Sequence, residues 1–356
     1  MLIVAGNQDG FGNYFSLLII HQGGGMRLGR CMLIGLLIGS MATASATEVT
    51  EQEVSRVMSS SQVQQQVDVL SDLYNTSDFR ALEFELSQIS GLKQEAVRSQ
   101  LVAHAVELDV LDQAKADWLQ AQAERKPAFN VVQQGDGYLV TQSAFHYGAQ
   151  ARGLVLKWQQ TLLAQKMVVQ AEVGELVLSE WIQRDLPTQT TRRDIFLAQL
   201  PSLSDQAVIA LAAQFTSDSK LVWLPDNAII AALAAASGEE AVYHLLWRRR
   251  SDQYSVAELQ RLTERASEPE ALEQIMAATI NPSLKLQAYR SLVGLNPLPP
   301  TARQFLKGKL DEVEDGKLVA FELARNGYLD WLEQLALVSS SKVLQRNFEA
   351  AVTQLP

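Results

Sequence analysis

Residues 255–300 read SVAELQRLTERASEPEALEQIMAATINPSLKLQAYRSLVGLNPLPP, with apolar residues at helical spacing. Ser-x-x-Glu occurs at 255–258 and at 267–270, and this spacing suits a capping box, in which two side chains bond free backbone N–H groups at a helix start. Asn281-Pro282 offers an N-cap followed by a proline at the first helical position. The pattern predicts helices that begin at 255, 267 and 281.

Helical periodicity extends over most of the remaining chain, across 61–126 and 150–354. After the break at 296–300, further helices are predicted to begin near Thr301, Asp315, Tyr328 and Ser341. Repeated short amphipathic helices joined by tight turns are typical of an α-solenoid. The sequence therefore predicts an all-α fold, a solenoid-like array of short antiparallel helices, with an irregular helical bundle as the alternative.

The segment Asn281–Val293 (NPSLKLQAYRSLV) resembles the repeats of HEAT-like helical proteins, and the resemblance covers 255–354. The predicted helix pairs recur about every 26 residues, which is shorter than the ~40–47 residues of that family. The resemblance implies an extended surface that binds another macromolecule.

One segment near 129–141 departs from the helical pattern. Two arms rich in strand-forming residues, 129–134 and 138–141, flank Gly135-Asp136-Gly137 and predict a β-hairpin. Pro127 ends the preceding helix. We therefore divide the chain after the leader into three regions: helical (47–126), hairpin plus helical (127–254) and HEAT-like (255–356).

The first 46 residues have the features of a leader. Arg27 and Arg30 precede an apolar run at 31–38, and Ala44-Ser45-Ala46 is a cleavage motif. The run is shorter than the roughly 20 residues that a bilayer-spanning helix needs. The sequence predicts a signal peptide over 26–46, cleavage after Ala46, and a periplasmic or secreted protein. A retained N-terminal membrane helix is the alternative.

Residues 1–25 are predicted to be a mis-called upstream extension, because Met26 stands immediately before the positive region of the leader. Gly23-Gly24-Gly25 implies G-rich codons just ahead of this ATG, as a translated ribosome-binding site would give. A genuine long N-terminal region of the signal peptide is the alternative.

Composition and charge narrow the possible functions. The 356 residues include 30 Lys and Arg against 40 Asp and Glu, for a net charge of −10. This balance argues against a nucleic-acid partner. The single cysteine, Cys31, excludes a disulfide framework and a cysteine-built zinc site. No other apolar run approaches 18 residues, so we expect no stable membrane anchor after signal cleavage. No metal-ligand or cofactor motif is present, and none is predicted.

The most unusual local cluster is Tyr243-His-Leu-Leu-Trp247-Arg248-Arg249-Arg250, with three consecutive arginines in an acidic chain. Aromatic and arginine side chains are favoured at binding hot spots, and guanidinium groups recognise carboxylate and phosphate. On a continuous helix, Tyr243, Trp247 and Arg250 would share one face. We take the two aromatic residues and the three arginines, Tyr243, Trp247, Arg248, Arg249 and Arg250, as the candidate binding site. The alternative is that the arginines only balance the dipole at a helix C-terminus.

The sequence favours a secreted or periplasmic helical repeat-like protein that binds an envelope macromolecule, for which we expect a protein partner. One alternative is an envelope hydrolase that acts on glycan or peptide through carboxylates from several helices. Another is a purely structural envelope subunit.

Overall fold

The computed structural model describes residues 46–134, 139–183, 186–216 and 223–354. Within these ranges the chain forms eighteen α-helices and one three-stranded sheet, which confirms the predicted all-α class with a small β element. The predicted upstream extension and almost all of the predicted signal peptide lie outside the described residues. The predicted glycine turn at 135–137 does so as well.

The N-terminal elements build a first hydrophobic core, whose buried residues run from Val63 to Val155. Asp78 is the N-cap of the helix that begins at Phe79, and its carboxylate accepts a hydrogen bond from the Ala81 N–H at 3.1 Å. The elements are β1 (Thr47–Val49), α1 (Glu51–Met58), α2 (Ser61–Asn75), α3 (Phe79–Gln88), α4 (Gly91–Leu108), α5 (Gln113–Glu124), β2 (Phe129–Gln134), β3 (Leu139–Ser143) and α6 (Tyr147–Glu172).

The sheet has the strand order β1-β2-β3. Strands β2 and β3 pair antiparallel, with Val131 opposite Gln142, so the predicted hairpin is present. Strand β1 pairs parallel to β2, with Thr47 opposite Phe129. The sequence analysis did not predict β1, because a three-residue strand with a distant partner carries no local pattern.

The C-terminal elements build a second core that runs from Met167 to Ala351. From α10 onward, helices pack mainly against those one or two positions away along the chain, which is the local contact pattern of repeat proteins. The elements are α7 (Leu178–Gln183), α8 (Gln189–Gln199), α9 (Asp205–Thr216), α10 (Asn227–Ser237), α11 (Glu240–Arg248), α12 (Gln253–Glu264), α13 (Pro269–Ala278), α14 (Lys285–Val293), α15 (Pro300–Leu310), α16 (Gly316–Arg325), α17 (Leu329–Val338) and α18 (Lys342–Thr353).

The helix starts after residue 300 agree with the predictions to within one residue. Pro300 is the first residue of α15, and the N-caps of the next three helices are Asp315, Tyr328 and Ser341. The Ser341 side chain accepts from the Leu344 N–H at 3.3 Å. The side chains of Asp315 and Tyr328 make no such cap, so Ser341 is the N-cap among these whose side chain closes the helix start.

Both predicted capping boxes are wrong. Helix α12 begins at Gln253, two residues earlier than predicted, because Asp252 and Ser255 form the reciprocal box. Helix α13 begins at Pro269, which fixes the first helical position, and its N-cap Glu268 bonds Arg265 and caps no backbone N–H. Asn281 opens a turn that leads into α14 four residues later.

Helix α6 belongs to both cores. Ala151, Leu154 and Val155 are buried in the first core, and Met167 and Ala171 are buried in the second. No residue between 156 and 166 is buried. The change from one core to the other therefore falls within this helix, and Thr47–Pro356 form one compact unit.

Candidate functional site

The aromatic half of the predicted binding cluster lies in the core. Tyr243 and Trp247 are 3% and 1% exposed, and their rings stack with centroids 5.9 Å apart. Helix α11 ends at Arg248, and Arg249 is extended with φ −88° and ψ 163°. Arg250 therefore does not continue the helical face of the two aromatic residues. This corrects the prediction: Tyr243 and Trp247 do not belong to an exposed binding surface.

Two buried asparagines hold the backbone of the arginine segment. Asn227 donates to the Arg250 carbonyl at 3.0 Å, and Asn281 donates to the Arg249 carbonyl at 2.8 Å. The Arg249 Nε also donates to the Asn227 Oδ1 at 2.8 Å, which engages this side chain inside the fold. Arg248 and Arg250 are exposed, and the side chain of neither has a hydrogen-bond partner within the described ranges.

Tyr243 belongs to a cluster with Glu258 and Arg261, which we call the Glu258 triad. Arg261 binds both carboxylate oxygens of Glu258, through Nε at 2.8 Å and Nη2 at 2.7 Å. The Tyr243 hydroxyl donates to Glu258 at 2.7 Å and accepts from Arg261 at 3.0 Å. Every pair within the triad is thus hydrogen-bonded, and Glu258 keeps only 5% of its side chain exposed.

The Glu258 triad shifts the pKa values of its members. The hydrogen bond to Glu258 raises the pKa of Arg261. Burial raises the pKa of Tyr243, and the nearby Glu258 carboxylate raises it further. Both shifts favour the protonated groups that donate to the carboxylate.

The first core contains a second cluster of the same composition, which we call the Glu95 triad: Glu95, Arg125 and Tyr147. Glu95 lies on the buried face of α4, Arg125 follows the end of α5, and Tyr147 is the first residue of α6. The Tyr147 hydroxyl donates to Glu95 Oε2 at 2.6 Å. Arg125 reaches the other oxygen with one N–H group, at 3.4 Å.

The side chains of the Glu95 triad differ in exposure, and two of them have shifted pKa values. Burial raises the pKa of the Tyr147 phenol to about 12, helped by the adjacent Glu95 carboxylate. For Arg125, burial lowers the pKa, but the Tyr147 hydroxyl and the Glu95 carboxylate outweigh it and leave a net increase. The Glu95 side chain is 5% exposed and that of Arg125 is 38% exposed, so the guanidinium reaches solvent while the carboxylate is buried.

A cavity of about 250 Å³ adjoins the Glu95 triad, between α5, the start of α6 and the sheet; we call it the α5–α6 cavity. Arg152, one turn into α6, supplies a second guanidinium, which donates to the Ala123 carbonyl at 3.0 Å. Pro127, Phe129 and Phe145 give the cavity an apolar lining. The start of α6 has no side-chain cap. The cavity thus combines two cationic groups, one buried carboxylate and an apolar surface.

A second cavity, of about 470 Å³, lies beside the end of α6 and α7, and both Glu175 and Glu180 line it. Arg192 stacks over Trp181 at 4.7 Å and bonds its carbonyl at 3.4 Å, so this arginine is engaged in the fold. Both glutamates are exposed. A pair of acid and base carboxyl groups normally differs in burial. The hydrolase alternative gains no specific support here and stays a prediction.

A third cavity, of about 920 Å³, is a groove between α6 and α8. Its lining mixes apolar side chains such as Val169 and Ile195 with polar ones such as Gln165. Val169 is 61% exposed. The groove is therefore an open surface with apolar character.

Within the part of the chain that the structure describes, no group of three or more His, Cys, Asp or Glu side chains is placed to hold a metal ion. Among the same residues, no helix has both the length and the hydrophobicity needed to cross a bilayer.

Sequence reasoning missed the Glu95 triad and Arg152. A usable signal was present in α4, where Glu95 and Arg98 occupy the same stripe as the core residues Val102 and Ala105. Charged residues on a buried helical face need partners. Arg125 and Tyr147 could not have been identified as those partners, because they lie 30 and 52 residues away along the chain.

Comparison of the chain with family models, with curated proteins and with solved structures found no match.

Proposed function

We propose that this chain is a periplasmic or secreted helical-repeat protein that binds a protein of the cell envelope through a surface that includes Arg248 and Arg250. The observation that carries the proposal is the anchoring of this segment by Asn227 and Asn281, which leaves two guanidinium groups exposed without partners among the described residues. A preorganised backbone lowers the entropic cost of binding. Guanidinium groups bind carboxylates in a fixed fork geometry.

The proposed cellular location and the proposed repeat character rest on separate observations. The predicted signal peptide carries the envelope location, and strand β1 begins at Thr47, so cleavage after Ala46 would leave the sheet intact. The repeat-like character is supported by the mainly local packing of α10–α18. The groove between α6 and α8 offers additional surface for a partner.

The experiment compares capture of partners from native envelope extract by wild-type protein and by the double variant R248A/R250A. This pair spares Arg249, whose side chain bonds Asn227. The control is R325A/R346A, which removes the same charge from exposed positions on α16 and α18. We expect R248A/R250A to lose a set of captured proteins that the control retains. The same set should be lost from wild type at raised salt, because exposed charge pairs are screened.

Equal capture by the two double variants, with circular dichroism showing both folded, would contradict a role for the arginines. They would then be only charges near the end of α11.

A further inference from the structure

The guanidinium groups that line the α5–α6 cavity are only partly used by the fold. Arg125 donates to Glu95 at 3.4 Å and also interacts with the Tyr147 hydroxyl, and Arg152 donates to the Ala123 carbonyl at 3.0 Å. A guanidinium carries five N–H donors. When the hydrogen bonds among the described residues are counted, both side chains therefore keep unused N–H groups that a ligand could bind.

The net charge of the side chains that line the cavity indicates the charge of the ligand. Arg125 and Arg152 are cationic and Glu95 is anionic, so these three leave one net positive charge when Glu95 is ionised. One negative charge on a ligand would balance this excess. His146 also lines the cavity and adds no charge in its neutral form, so a doubly charged anion would lie against the Glu95 carboxylate with one charge that the two arginines do not offset. The arrangement favours a monoanion.

The volume of the cavity and its other lining residues narrow the chemical class of the ligand further. The cavity volume of about 250 Å³ lies below the 300–1,000 Å³ typical of pockets for drug-sized ligands. Phe129, Phe145 and Pro127 add apolar surface next to the arginines. The planar guanidinium fork matches the two oxygens of a carboxylate.

We infer that the α5–α6 cavity binds a single carboxylate attached to a small apolar group, with Arg125 and Arg152 as its ligands. Two sources carry this chemistry, the C-terminal residue of a peptide and a free small carboxylic acid. The site is separate from Arg248 and Arg250, so the inference does not depend on the proposed protein-binding surface.

Isothermal titration calorimetry with N-acetyl-Ala-Ala, its C-terminal amide, propionate and inorganic phosphate tests the site on the chain that begins at Thr47. The free-acid dipeptide should bind saturably, and the amide should bind at least tenfold more weakly. Propionate that binds as tightly as the dipeptide supports the site and identifies a free small acid as the source. Weaker propionate binding identifies a peptide C-terminus.

R125Q and R152Q should each weaken binding of the acid dipeptide at least tenfold. R261Q is the matched control, because it makes the same change in the Glu258 triad and should leave the affinity within twofold of wild type. Arg152 does not contact Glu95, so R152Q tests the site even if R125Q fails to fold.

Four results would overturn the inference. They are no saturable binding of acid dipeptide or propionate at 10 mM, equal binding of acid and amide, tighter binding of phosphate, and equal affinities of folded R152Q and R261Q.

Discussion

The Glu95 triad and the Glu258 triad contain the same three side chains, yet the two carboxylates are bonded differently. Glu258 receives two short hydrogen bonds from Arg261 and one from Tyr243, and these contacts join α11 to α12. Glu95 receives one short bond from Tyr147 and a single contact from Arg125 at 3.4 Å. The arginine of the first triad is therefore the less fully engaged of the two.

The difference shows that composition alone does not separate a structural cluster from a candidate site. In the Glu258 triad the guanidinium binds both oxygens of its carboxylate and also the Tyr243 hydroxyl, which uses three of its five N–H donors. In the Glu95 triad the guanidinium lines a cavity and keeps most of its donors. The number and length of bonds to the buried carboxylate is the property that distinguishes the two.

The largest expected effect comes from removal of the carboxylates. Glu258→Ala should lower the free energy of unfolding by about 3 kcal/mol, because it leaves the buried Tyr243 hydroxyl and Arg261 without their partner. Glu95→Ala should cost only about 1 kcal/mol, because Arg125 is already partly hydrated and water in the cavity can reach Tyr147. Urea denaturation measures both values. If Glu95→Ala lowered the free energy of unfolding as much as Glu258→Ala or more, the distinction between the two triads would be contradicted.

Removal of the tyrosine hydroxyls should reverse this order. Tyr147→Phe deprives the buried Glu95 carboxylate of its one short hydrogen bond and should cost about 2 kcal/mol. Tyr243→Phe leaves Glu258 bound by both arms of Arg261 and should cost about 1 kcal/mol. The same urea titrations provide the measurement, with circular dichroism as a check of the native fold. A larger loss for Tyr243→Phe would contradict the bonding described for the two carboxylates.

The last effect is expected only at alkaline pH. Because Tyr147 has a folded pKa of about 12, above the value near 10 of an unfolded chain, its protonated form stabilises the fold fully below pH 10. This contribution is lost as the pH rises from about 10 to 12. The absorbance at 295 nm of wild type and of Tyr147→Phe is measured as a function of pH. The difference between the two curves should show one phenol that ionises near pH 12. A midpoint near pH 10 in folded protein would contradict the buried environment of Tyr147.

The helices that the sequence predicted well are those whose signals are local. Asp315 and Ser341 each stand at the N-cap of the expected helix, and Pro300 opens another. The capping boxes failed where a neighbour competed, since Asp252 starts α12 before Ser255 can. Strand β1 was missed because its partner β2 lies about 80 residues further along the chain.

The candidate site was harder to predict, for two physical reasons. The spacing of Tyr243, Trp247 and Arg250 predicts one shared helical face, but α11 ends at Arg248, and the spacing rule does not hold beyond a helix end. The Glu95 triad joins three elements, and a sequence does not show which distant side chains will meet a buried charge. The charged positions of α4 could reveal that a partner was needed, but not which residue would supply it.

Among the described residues, α6 is the helix that supplies buried side chains to both cores. It therefore couples the unfolding of one core to the unfolding of the other. Its 26 residues correspond to about 39 Å of helix at 1.5 Å per residue. Local opening that unwound this helix would withdraw Leu154 and Val155 from one core and Met167 and Ala171 from the other. A helix that is exposed along its middle is thus the route by which loss of order in either core would destabilise the other.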